Sequence, residues 1–231
     1  MIIDDIFEIN RRLCFNLWSI TDVKHKPEGL SPRLILPQKR SGEIRISEQE
    51  SRFLYCGLIN TLNYYYSVET PTTEEYQQTG QRPQSASSDL SLYIHDGHIF
   101  DKIANVEFKA HHPPQEQIRK DIEKLIREGD AGNWVHTLKN IDNQTLQTLF
   151  VKFIASINEF SEIVGENEVS IVFCFCVLDK KWACIKHFHY NSTKGEFKEY
   201  VNNFFDIRVE VEASDVVVNA ETAWYVFKAG R

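Results

Sequence analysis

Residues 103–110, Ile-Ala-Asn-Val-Glu-Phe-Lys-Ala, constrain this chain more than any other stretch. Their apolar content reads as a strand, and successive strand side chains point to opposite faces. Val106, Phe108 and Ala110 then share one apolar layer, while Glu107 and Lys109 share the other. A carboxylate and an amine on such a strand are costly to bury without a partner or a task. The strand is the return arm of a hairpin. Asp89-Leu90-Ser91-Leu92-Tyr93-Ile94 alternates as its partner, and His95-Asp96-Gly97-His98 supplies the turn. Asp89 opens that partner strand, so it can meet Glu107 at one point. Paired carboxylates are what a hard divalent cation needs: magnesium takes oxygen ligands, commonly one or two carboxylates with waters and a substrate phosphate.

The elements around the hairpin follow from capping and periodicity. Ser47 is a good N-cap, and Glu50 three residues later completes a capping box. Phe53, Leu54, Leu58, Ile59 and Leu62 then recur at helical spacing, with the helix expected to end near Tyr66. Residues 70–88 are polar and rich in Gln, Thr and Ser, which predicts a long loop. After His111-His112-Pro113-Pro114 breaks the Glu-bearing strand, Ile118, Ile122, Leu125 and Ile126 mark an amphipathic helix over 117–128. A further helix is predicted over 145–163, with strands at 169–177, 182–187, 207–211 and 223–227. Residues 6–15 fit a helix or a strand, and 24–42 read as loop. This order predicts an α/β fold, a central mixed β-sheet flanked by helices.

The 231 residues suit one domain spanning 1–231, with a core of about 45–190 and elaborations at both ends. No run of about 18 apolar residues occurs, and the acidic start Met1-Ile2-Ile3-Asp4-Asp5 lacks a signal-peptide layout. A soluble cytoplasmic protein is expected, with no membrane partner. The five cysteines contain no C-x-x-C pair. Cys174 and Cys176 fall on one face of an apolar strand, which predicts buried reduced thiols. A net charge of −7 does not favour nucleic acid, but local patches matter more than the total. Lys24, Lys26, Arg33, Lys39, Arg40 and Arg45 form one such patch, opposed by Glu28 and Glu43.

Acidic helix, Asp89 strand, hairpin, Glu107-Phe108-Lys109 strand and following helix, in that order, resemble the PD-(D/E)XK nuclease superfamily. The resemblance covers about residues 47–128. An acid-x-Lys triplet occurs four times in the chain, at Asp22, Glu107, Asp179 and Glu196. Only the triplet at Glu107 has the strand and hairpin context. The resemblance implies a restriction-endonuclease-like fold and a Mg2+-dependent deoxyribonuclease, with Mn2+ able to substitute. It implies that Asp89 and Glu107 hold the metal and that Lys109 positions or activates water. It places the first-helix glutamate on Glu50, with Glu48 as the less favoured candidate. Ser88 stands where the family name has proline. DNA is implied more than RNA. Cutting both strands favours two sites, hence a homodimer or an accessory subunit.

Arg119, Lys120 and Lys124 on the helix after the strand are candidates for a phosphate backbone, and so is His111 at the strand end. An ordinary solvated helix face explains the three cations equally well. The competing function is a catalytically silent module that binds nucleic acid or a partner on the same fold.

Overall fold

The computed structural model describes residues 2–21, 34–76, 84–164, 168–205 and 224–229. Seven strands form one mixed sheet in simple sequence order, β1 to β7. The chain opens with α1 (Ile2–Thr21) and α2 (Glu48–Ile59), then β1 (Tyr65–Tyr76), β2 (Gln84–His95) and β3 (Phe100–Ala110) as an antiparallel meander. Helices α3 (Gln115–Arg127) and α4 (Asn143–Asn158) then cross over between parallel strands: α3 joins β3 to β4 (Ala131–Leu138), and α4, with the one-turn α5 (Ser161–Val164), joins β4 to β5 (Val169–Val177). Antiparallel β6 (Trp182–Tyr190), helix α6 (Phe197–Phe204) and β7 (Tyr225–Lys228) complete the sheet.

The sheet is apolar on both faces, so each face needs a helical cover. Ile6, Ile9, Leu13 and Leu17 of α1 and Leu54, Tyr55 and Leu58 of α2 cover Val106, Phe108, Val135, Val172, Cys174 and Ile185. Ile118, Ile122 and Leu125 of α3 and Phe150 and Phe153 of α4 cover Trp134, Ile171, Phe173 and Phe175. Rings dominate this second layer: Phe153 meets Phe173, Phe175 and Phe205 at centroid distances of 5.5, 5.6 and 5.6 Å. Cys14, Cys174, Cys176 and Cys184 are buried free thiols. Among the described residues no helix is long and apolar enough to cross a membrane.

Several expectations need correction. The polar stretch 70–88 is largely strand: β1 runs to Tyr76, and β2 begins at Gln84. Strand β1 lies at the sheet edge and is largely exposed, so it needs no apolar alternation. Besides its pairing with β2, its far end is fastened by the Glu128 side chain. The buried Glu128 carboxylate accepts from Thr73 N at 3.0 Å, Glu74 N at 3.2 Å, the Tyr76 hydroxyl at 3.2 Å and Lys102 Nζ at 2.7 Å. Helix α2 stops at Ile59, not near Tyr66, and residues 6–15 are helical. The helix predicted over 145–163 is two helices, α4 and α5. The strand predicted over 207–211 lies outside the described residues, as do Lys24, Lys26 and Arg33 of the basic patch.

Strand β4 went unread because Asn133, His136 and Thr137 interrupt its apolar pattern. All three are buried and bonded internally: Asn133 to Asn10 and Tyr55, His136 to the His111 carbonyl, Thr137 to Ser51. Gly132, the second residue of this strand, lies under α3. A Cβ there would stand 2.9 Å from Ile171 Cγ1 and 3.3 Å from Leu125 Cβ. Gly132→Ala is therefore expected to cost about 1–3 kcal/mol through overpacking. Denaturant titration of the variant checks this, and an unchanged midpoint would contradict it.

Candidate active site

Strand alternation places Glu107 and Lys109 on the face of β3 covered by α3, opposite Val106 and Phe108. Parallel pairing sets Glu107 beside Trp134 and Lys109 beside His136 on β4. Asp89, on neighbouring β2, is tied into the same locality: its Oδ2 accepts from Phe108 N at 2.8 Å, and its Oδ1 takes Arg52 Nη2 of α2 at 2.7 Å. The three residues singled out by sequence thus come together.

Helix α3 adds two more charges, and these knit the site. Asp121 receives Lys109 Nζ on Oδ2 and Lys124 Nζ on Oδ1, both at 2.8 Å. Lys124 Nζ also lies 2.7 Å from Glu107 Oε1 and donates to the Ser87 carbonyl at 2.9 Å. Lys109 Nζ donates to its neighbour's carbonyl, Phe108 O, at 3.1 Å and lies 3.9 Å from Glu48 Oε1. Lys124 is the partner of Glu107 Oε1, while the enclosed Oε2 has no hydrogen-bond partner.

Burial governs the electrostatics. Glu107 is fully enclosed, and burial pushes its carboxyl well above the ordinary range; Lys124 opposes this, while Asp121 and Asp89 reinforce it. Burial also works against ionisation of Asp121, but Lys124 and Lys109 outweigh it and hold that carboxyl below its ordinary range. Burial likewise opposes the charge on Lys109, yet Asp121, Glu48 and Asp89 together raise its pKa. Lys109 is consequently a fixed cation near neutral pH. Glu48 is raised, first by burial and then by Asp89 and Asp121 against the pull of Lys109. Beneath Lys109, the buried His136 ring donates from Nε2 to the His111 carbonyl at 2.7 Å, and burial lowers its pKa to about 3.

Glu50 sits elsewhere. Its Oε2 accepts from Ser47 N at 2.8 Å and from Ser47 Oγ at 2.6 Å, the reciprocal capping box. The first-helix carboxylate that approaches Lys109 is Glu48, two residues earlier. Lys124 is buried inside the ion network, and Arg119 is paired with Glu116 and Glu123, so neither stands free on a solvated face. Lys120 is half-buried on the same helix. His111 takes a positive φ of 62° and bonds the Ile46 carbonyl through Nε2 at 3.0 Å.

Asp121 and Arg52 escaped the sequence reading. Asp121 lies three residues after Ile118 and four before Leu125, on the flank of the apolar stripe of α3. A carboxylate at such a position is the signal that marks it. Arg52 sits next to Phe53 on α2 and carried no comparable signal.

The donor set can be weighed against a divalent cation. Among the described residues no three His, Cys, Asp or Glu side chains stand in a ready ligating arrangement. The donors are nonetheless of the right kind. Glu107 Oε2 is sealed from solvent without a partner, an expense that a cation would offset. Glu48, Asp89 and Asp121 supply further carboxylate oxygens close by. Oxygen donors are the kind Mg2+ takes, but both oxygens of Asp89 and of Asp121 are already committed, to Arg52 and the Phe108 amide and to Lys124 and Lys109. No protein-family model, curated protein or solved structure matches the chain.

Proposed function

We propose that this chain is a metal-dependent nuclease of restriction-endonuclease-like fold, hydrolysing phosphodiester bonds, with DNA the favoured substrate. The observation that carries the reading is that Asp89 bonds the backbone of Phe108, between Glu107 and Lys109, beside an enclosed and unsatisfied Glu107 oxygen. Asp89 and Glu107 would hold Mg2+ or Mn2+, with Glu48 beside them. When bound, such an ion lowers the pKa of water and offsets phosphate charge.

The chain's own groups have separable duties. Asp121 keeps Lys109 protonated and fixes its position at 2.8 Å. Lys109 therefore acts as a preorganised positive charge for the developing charge on phosphate and not as a base. Arg52 and the Phe108 amide fix the two oxygens of Asp89. Apolar packing beneath β3 holds the hairpin that carries all three.

A second reading, the silent binding module, is favoured by one specific observation: each inner carboxylate already faces an internal cation, Arg52 at Asp89 and Lys124 at Glu107 and Asp121. Incubation of the purified chain with supercoiled plasmid and single-stranded DNA, with Mg2+, Mn2+ or chelator, separates the two. Metal-dependent cutting abolished by chelator is the expected result. Intact DNA beside unimpaired DNA binding would favour the silent module.

The two first-turn glutamates of α2 give a sharper check. Glu50→Ala is expected to cost about 1 kcal/mol through loss of the cap while leaving cutting unchanged. Glu48→Gln is expected to keep its stability and slow cutting about tenfold or more, as loss of a supporting site residue does. Cleavage rates and chemical denaturation of both variants test this; the reverse pattern would return the role to Glu50.

A further inference from the structure

Six of the ten large apolar side chains left exposed among the described residues stand at one corner of the sheet. Tyr65, Tyr66 and Val68 open β1, and Ile94, Ile99 and Phe100 flank the turn of the neighbouring β2–β3 hairpin. An exposed apolar patch of this kind marks an interaction surface, whereas single scattered side chains do not. The patch occupies both faces of the sheet. Tyr66 and Val68 pair with Leu92 and Leu90, which lie in the layer under α1 and α2, so they share that face. Tyr65 is on the other face, where its ring meets those of Phe100 and His95 at centroid distances of 5.0 and 5.8 Å. A molecule lying on one face would leave the other half of the patch bare. An added strand covers both halves, because its side chains alternate between the faces while its backbone bonds the edge.

Strand β1 is at the sheet edge, and its edge is open at one end only. Beyond Val68 it is blunted: Glu69 takes a positive φ of 50°, Pro71 has no N–H to donate, and the register shifts between Pro71 and Glu75. Residues 65–68 carry none of these devices and pair with β2 in unbroken register. They are also complementary to themselves. In an antiparallel pairing about a two-fold axis at Ser67, Tyr66 of each copy faces Val68 of the other on one side of the joined sheet. Ser67 is small and its Oγ is engaged by Thr70 and the Tyr93 hydroxyl, so no bulky group stands at the axis. Glu69 falls opposite Tyr65 and not opposite a second carboxylate, and Arg52 already pairs with it at 2.6 Å. For a chain of net charge −7, an uncharged meeting point is where two copies approach at least cost.

We propose that residues 65–68 form a homodimer interface, in which β1 of two copies pairs antiparallel about Ser67 and joins the two sheets into one. The interface stands independently of the nuclease reading.

The test is sedimentation velocity of the full chain over a concentration series, beside the double variant Tyr66→Lys, Val68→Lys. That variant brings ammonium groups of both copies together on one side of the joined strands, where like charges repel. The wild type is expected to reach the mass of two chains, and the double variant to dimerise about tenfold more weakly or not at all. A wild type with the mass of one chain at every concentration would overturn the proposal, and would give the open edge to an extended segment of a different protein. A dimer that the two lysines leave unchanged would overturn it as well, because the interface would then lie elsewhere. Should the double variant not fold, amide hydrogen exchange of the wild type decides. The exchange of residues 65–68 is expected to slow as the protein is concentrated, and exchange independent of concentration would overturn the pairing.

Discussion

Asp121→Ala is expected to lower the unfolding free energy by about 3–5 kcal/mol, the range for removing one partner of a buried ion pair. Asp121 is the hub of the network: Lys109 and Lys124 each reach it at 2.8 Å, on different oxygens. Lys109 and Lys124 are themselves 8% and 4% exposed, so neither can turn to water without a local rearrangement. Loss of the shared carboxylate leaves Lys124 with Glu107 and the Ser87 carbonyl, and Lys109 with the Phe108 carbonyl and the more distant Glu48. Asp121→Asn keeps an acceptor oxygen and should lose less. Denaturant titration measures both, with an unchanged slope confirming that the midpoint shift reports stability. A loss below about 1 kcal/mol for Asp121→Ala would show that the lysines are satisfied without it.

The second large effect is a pH dependence set by His136. Its ring is fully buried, its Nε2 is committed to the His111 carbonyl, and burial lowers its pKa from the ordinary 6.5 to about 3. Between those values the unfolded chain binds a proton that the folded protein refuses. The stabilising contribution is complete above pH 6.5 and is lost as pH falls toward 3, at about 1.4 kcal/mol per pH unit. From pH 6.5 to 5 the wild type should lose about 2 kcal/mol more than His136→Gln, which cannot titrate. The raised pKa of Glu107 acts in the opposite sense, since its protonation favours the folded state, and the difference between the two proteins cancels it. Parallel stability curves for wild type and His136→Gln would refute this account.

Much of the fold was legible because it is written in local rules. The capping box at Ser47 and Glu50 forms as the residue spacing demands, and the hairpin turns at Asp96-Gly97. Three parts were hidden, each for a physical reason. Residues 70–76 are polar because β1 is an edge strand fastened by Glu128, a contact across 52 to 55 residues that no local pattern encodes. Strand β4 has polar residues that are satisfied by partners up to 123 residues away, so its burial left no apolar signature. The choice between Glu48 and Glu50 turned on a rotation about the axis of α2. Glu50 shares a face with Leu54 but curls back onto Ser47, which leaves Glu48 to meet Lys109.

Of the candidate site, Asp89, Glu107 and Lys109 were readable as neighbours because strand alternation and a hairpin are enough to bring them near one another. Lys124 was read as a phosphate contact or a solvated helix charge, and Asp121 was overlooked. Their roles depend on the angle at which α3 lies across β3, and that angle is a property of the packed core. The ion network is therefore a tertiary fact built on secondary-structure rules.

The most direct test of the central claim is the rate of Mn2+-dependent plasmid cutting by the wild type beside Asp89→Asn and Lys109→Met, each confirmed as folded by circular dichroism and thermal melting. The account predicts measurable cutting by the wild type and a loss of about a hundredfold or more in each variant, the scale of losing a charge-stabilising group. Cutting at the wild-type rate by either variant would contradict it, because the chemistry would then reside elsewhere.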